Sequence, residues 1–125
     1  MKWTLLIAAA FGFLSVALGA FGAHALQDVL DTKSLVIFET AVKYQFYHAI
    51  TLLSVSFFNL ERGHKLLSWA SGFFIFGTVV FSGSLYLLVF TGVRKFGMIT
   101  PIGGLSLLIG WGILVVYGYQ AARNK

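Results

Sequence analysis

Apolar residues fill the chain in four long runs, and polar residues gather in the short stretches between them. The runs cover roughly 3–23, 40–60, 66–90 and 98–119. Each holds about the 20 residues that a helix rising ~1.5 Å per residue needs to cross ~30 Å of hydrocarbon. Core helices of a water-soluble bundle would carry polar stripes at a period of about 3.6, whereas the first and fourth runs are apolar nearly all round. The pattern predicts an all-α membrane protein, a single domain over 1–125, with four transmembrane helices. The turns "ERGHK" and "TGVRKFG" are short, which makes consecutive helices antiparallel neighbours in an up-down bundle. Residues 24–39 mix apolar and charged positions. Leu26, Val29, Leu30 and Lys33 fall at helical spacing there, so a short interfacial helix is expected between the first two spans. "AHA" at 23–25, with Lys2 upstream, also fits a signal-peptidase site. The first run is longer than the usual signal h-region, so it is expected to stay as a membrane helix ending near His24.

Composition sharpens the class. Of 125 residues, 58% are hydrophobic and 10% charged, too few charges to cover a water-facing surface. The net charge of +5 comes from basic residues scattered in ones and twos, which argues for loop charges and against a nucleic-acid face. The absence of cysteine excludes disulfides, thiolate ligands and cysteine nucleophiles. Four spans put both termini and the 61–65 turn on one side, with Lys2, Arg62, Lys65, Arg123 and Lys125. Lys33, Lys43, Arg94 and Lys95 fall on the other, with the acids Asp28, Asp31 and Glu39. The basic bias points to cytoplasmic termini in a bacterial inner (plasma) membrane. Trp3, Trp69, Tyr117 and Tyr119 lie where interfacial anchors do on that side.

Small residues recur four apart: Ala8 and Gly12, Ser15 with Gly19 and Ala23, Ser68 and Gly72, Thr78 and Ser82, Ser106 and Gly110. Such rows permit close helix approach in lipid, so leucine at Gly12 or Gly72 is expected to disrupt packing. Pro101 suits a first helical turn, with Thr100 as its N-cap.

Polar chemistry concentrates in "ETAVKYQFYHAI" of the second span. Glu39 and Lys43, acid first and four apart, are expected to form an interfacial ion pair. Tyr44, Gln45 and His48 share one helix face. Counted from Glu39, His48 lies ~13 Å into the bilayer, where an imidazole needs a partner. Thr78, Ser82 and Tyr86 form a stripe at spacing four in the third span, and Ser82, counted from Thr91, falls at the same estimated depth. Ser15 and Ser106 land at that level too, so a polar layer around His48 is expected, with His24 at the helix mouth. Within it His48 is a helix-pinning residue, a proton carrier or ligand anchor, or, least favoured, a metal or haem ligand. Two histidines without acids or cysteines at ligand spacing make no metal site, and no cofactor is expected. His64 reads as a solvated turn residue. No Ser-His-Asp set, phosphate loop or carboxylate pair can be assembled, so no enzyme activity is expected.

"GAFGAHAL" at 19–26, "YQFYHAI" at 44–50, "FSGSLYLL" at 81–88 and "TPIGG" at 100–104 occur in order. Together they resemble the family of small membrane proteins that includes the bacterial YwdK and YgdD proteins, over essentially the whole chain. Ile50, where leucine is expected, is the one departure. The resemblance implies a stand-alone four-helix protein of the bacterial inner membrane and supplies no catalytic residue. The function expected from all this is a membrane-organising or accessory protein binding membrane lipids, itself or another membrane protein. The alternatives are a small transporter or channel-like carrier using the His48 layer and, less favoured, a haem- or quinone-binding redox subunit.

Overall fold

The computed structural model describes residues 2–124, and Lys2 only in its backbone. Lys125 and the Lys2 side chain, both counted above in the charge bias, lie outside the described residues. Four helices follow one another: α1 (Lys2–Ala25), α2 (Thr32–Arg62), α3 (Lys65–Thr91) and α4 (Lys95–Arg123). Their ends are written locally. Asp31 caps α2 by accepting from the Ser34 amide at 2.7 Å. That bond, with a further one from the Ser34 side chain, holds the Asp31 carboxyl below its ordinary range. Gly63 and Gly92 stop α2 and α3 in the left-handed region, at φ 60° and 72°, a conformation glycine adopts without a Cβ penalty. Their amides reach back to the Asn59 and Leu88 carbonyls.

The first connection is shorter than expected. Residues 33–39 are the opening turns of α2, and only 26–31 form the turn, so no separate interfacial helix lies there. An exposed Asp31 cap, with no glycine or proline from there to Gly63, lets α2 extend outward past its apolar span. α4 likewise starts six residues before Pro101, with Arg94 as its cap residue, so Thr100 is not an N-cap. Its hydroxyl is bonded to Ser84 on α3 instead. Pro101 removes one backbone donor inside α4 without ending it.

Consecutive helices run antiparallel and pack on each other: α1 on α2, α2 on α3, α3 on α4. The register can be followed by residue. Gly22 meets Phe38, Gly19 meets Val42 and Gly12 meets Ala49 between α1 and α2. Gly103 lies against Phe81, Gly77 against Leu107 and Gly110 against Phe74 between α4 and α3. Among the described residues three helices, α1, α3 and α4, are long and apolar enough to cross a membrane. α2, which carries the buried Gln45, His48 and Asn59, lies along its length between α1 and α3.

Polarity is inverted relative to a water-soluble bundle. Ala8, Leu52, Val55, Leu67, Ala70, Phe74 and Leu107 make the hydrophobic cluster. Among them sit buried Ser15, Gln45, His48, Ser56, Asn59, Ser71, Thr78, Ser82 and Ser106. Phe13, Val16, Phe76, Ile102, Leu108 and Val115 face outward with more than half their surface exposed. Lipid tails solvate such a surface, and hydrogen bonds and close packing hold the interior.

The small-residue rows face in unequally. A Cβ on Gly103 would meet the Phe81 backbone nitrogen, and one on Gly110 would lie 2.8 Å from Phe74 Cε1. Gly12 leaves an ordinary 3.9 Å to Ala49, and Gly72 has nothing within 4 Å. The expectation for leucine therefore meets no neighbour at Gly72, whereas Gly12 does face Ala49 on α2. Spacing four marks a helix face without saying which way the face turns.

Candidate functional site

Most of the side-chain hydrogen bonds between helices involve α2. Gln45 Nε2 donates to the Phe11 carbonyl of α1 at 2.9 Å. The Tyr86 hydroxyl of α3 donates to Gln45 Oε1 at 2.7 Å. Ser82 Oγ of α3 donates to the Ala41 carbonyl at 2.7 Å. One turn beyond Gln45, Trp111 Nε1 of α4 donates to His48 Nε2 at 3.0 Å. An indole N–H can only donate, so Nε2 must be the acceptor and the proton sits on Nδ1. Nδ1 then donates to the Tyr44 carbonyl at 2.7 Å. His48 is thereby a neutral ring with both nitrogens engaged, and the bonds of Gln45 and His48 between them tie α2 to the other three helices.

His48, Gln45, Tyr86 and Ser82 are thus brought together, but not at one level. α2 begins at Thr32, so His48 lies sixteen residues in, ~24 Å along the helix and near its middle. Ser82 bonds about two turns nearer the start of α2, at Ala41. Tyr44 contributes its carbonyl, while its ring is 41% exposed and packs on Phe81 at 4.8 Å between centroids. Thr78 is 3% exposed, and its hydroxyl has no hydrogen-bond partner. Ser15 bonds back to Phe11, and Ser106 bonds the Phe73 carbonyl across α3 and α4. His24 is exposed near the end of α1, away from this network. Glu39 and Lys43 are both exposed, and no ion pair within 4.0 Å joins them. Two long exposed side chains gain too little from pairing to be held in one geometry.

Two partners escaped the sequence reading. Trp111 reads as one more apolar residue of the fourth span. It lies sixteen residues into α4, as His48 does into α2, and both helices start from the same side. Equal depth, together with the need of a buried imidazole for a donor, is the signal that could have found it. His64 is the other: its Nδ1 accepts from the Leu66 amide at 3.1 Å, so it caps α3. Its ring edge stands on Tyr117, 5.0 Å between centroids.

Two open grooves adjoin one another between α2 and α4. The inner one, about 380 Å³, runs past Ser54 and Leu114 to Trp111. The outer one, about 700 Å³, is lined by Arg62, His64, Gln120 and Asn124. Phe58 and Tyr117 line both.

An outward apolar surface, three helices able to span and a hydrogen-bonded polar interior define an all-α integral membrane protein. The chain belongs to the family described as "Protein of unknown function (DUF423)", whose model matches residues 18–104. It is 43% identical over 116 residues to a "UPF0382 membrane protein" of Staphylococcus epidermidis, covering 93% of this chain and 94% of the relative. It is 38% identical over 123 residues to the "UPF0382 inner membrane protein YgdD" of Escherichia coli strain K12, covering 98% and 94%. No solved structure matches the chain.

Proposed function

We propose that the protein is a non-enzymatic accessory component of a bacterial inner membrane, with both termini cytoplasmic, that binds membrane lipid through the grooves between its helices. The observation that carries this reading is the Trp111–His48–Tyr44 chain of hydrogen bonds. A carrier histidine needs a ring nitrogen free to take up a proton or ligand. Both nitrogens of His48 are engaged by the protein, and the ring is buried. Gln45, His48, Ser82 and Tyr86 therefore act as pins between helices. The grooves offered to a ligand open outward to lipid.

Native mass spectrometry of the protein released from its own membrane is expected to show retained lipid. Proteoliposomes carrying it are expected to show no proton or solute flux above empty vesicles. A flux that His48→Gln abolishes, in a variant that still folds, would transfer the assignment to a carrier.

A further inference from the structure

We propose that the paired groove between α2 and α4 is a site for one anionic glycerophospholipid of the leaflet on the terminal side. Its phosphate would sit at Arg62 and His64, and an acyl chain would run inward past Phe58 and Ser54 to Trp111. The inference rests on the lipid-binding reading above and gives it a place and a headgroup chemistry.

Charge is the first support. The Arg62 guanidinium lines the outer groove and has no carboxylate within 4.0 Å among the described residues. His64 spends Nδ1 on the Leu66 amide, which leaves its Nε2–H as a donor when the ring is neutral. Gln120 and Asn124 add amide donors to the same wall. Among the described residues, Arg62, Lys65 and Arg123 stand at this end against a single acid, Glu61. Arginine with further N–H donors suits phosphate oxygens. The groove at the opposite end, about 350 Å³, contains Glu39 as well as Lys43 and has no such bias.

Dimensions are the second. α2 rises ~18 Å from Ile50 to Arg62, close to one leaflet of a ~30 Å hydrocarbon core. The lining changes in the order a lipid requires, from Arg62 and Asn124 at the mouth, through Phe58 and Tyr117, to Leu114 and Trp111. α2 and α4 pack on α3 and not broadly on each other, so the groove is a seam left open by the fold.

The test uses the full chain in nanodiscs of phosphatidylcholine doped with phosphatidylglycerol, followed by native mass spectrometry. Wild type should retain phosphatidylglycerol in preference to phosphatidylcholine. Arg62→Gln should lower that preference by at least about tenfold, since the cation that favours a net negative headgroup over the zwitterionic choline headgroup is lost. His64→Asn, which keeps an N-capping side chain, should lower it less. Ser54→Trp, at an exposed position in the groove, should expel either lipid. A preference that survives Arg62→Gln overturns this site and leaves the lipid-binding reading standing. A wild type that retains no lipid overturns both. Arg62 is exposed at a helix end, so Arg62→Gln decides the matter even if the tryptophan plug fails to fold.

Discussion

At the scale of single residues, the interior depends on side chains that can both donate and accept. Gln45 uses its amide nitrogen on α1 and its oxygen on α3. His48 does the same with its two ring nitrogens, toward its own helix and toward α4. In lipid such bonds average ~0.6 kcal/mol and reach ~1.7 kcal/mol, because the separated helices find other partners. Trp111→Phe should therefore lower stability modestly, keeping the ring and deleting the donor. His48→Leu should do the same by deleting the acceptor. The double variant should lose less than the two single losses together, by an amount in that range. Thermal melting of the four proteins in one detergent reads this directly. Strict additivity would show that the indole and imidazole do not interact in solution. His48→Gln, whose amide oxygen can still accept from Trp111, should stay closer to wild type than His48→Leu.

At the scale of elements, close packing between α3 and α4 is set by a few glycines. Gly103 faces Phe81 backbone, which cannot swing aside, and Gly77 lies 3.0 Å from the Gly103 carbonyl by its would-be Cβ. Gly103→Ala should push the helices apart and cost ~1–3 kcal/mol, the usual range for overpacking. Gly72→Ala, with open space around it, should melt like wild type. Equal melting temperatures for the two variants would contradict this α3–α4 register. The same contrast shows what the sequence could and could not tell. Four apolar runs and short turns were enough for four antiparallel helices, because lipid imposes a length on any spanning helix. Rows at spacing four could not say whether Gly72 or Gly103 faces a neighbour, since most outward residues of α3 and α4 are apolar too. In water the polar face would have oriented each helix; in lipid that signal is missing. The Glu39–Lys43 pair failed for a related reason, as helical spacing brings side chains within reach without fixing exposed ones together.

At the scale of the molecule, α2 decides the topology. It is the helix that hydropathy alone does not single out as a span, yet its polar groups are those that bind α1, α3 and α4. Gln45, His48 and Asn59 are buried between helices, so they raise its apparent polarity without meeting lipid. Its contacts run from Phe38, against Gly22 and Phe90, to Asn59, against Ser68. A helix packed over that length between two spanning neighbours must cross with them. Were α2 to lie flat in the interface, the 26–31 and 63–64 turns would emerge on one side and the termini on opposite sides. With α2 crossing, the 63–64 turn and both termini share a side, and Asp28 and Val93 share the other. The natural absence of cysteine makes this measurable without background. Single cysteines at Asp28, Gly63, Val93 and Asn124 should react with an impermeant thiol reagent in two groups. Gly63 and Asn124 should label from one face of sealed vesicles, Asp28 and Val93 from the other. Labelling of Asp28 and Gly63 from the same face would remove α2 from the membrane. It would also break the Gln45 and His48 bonds on which the rest of the architecture depends.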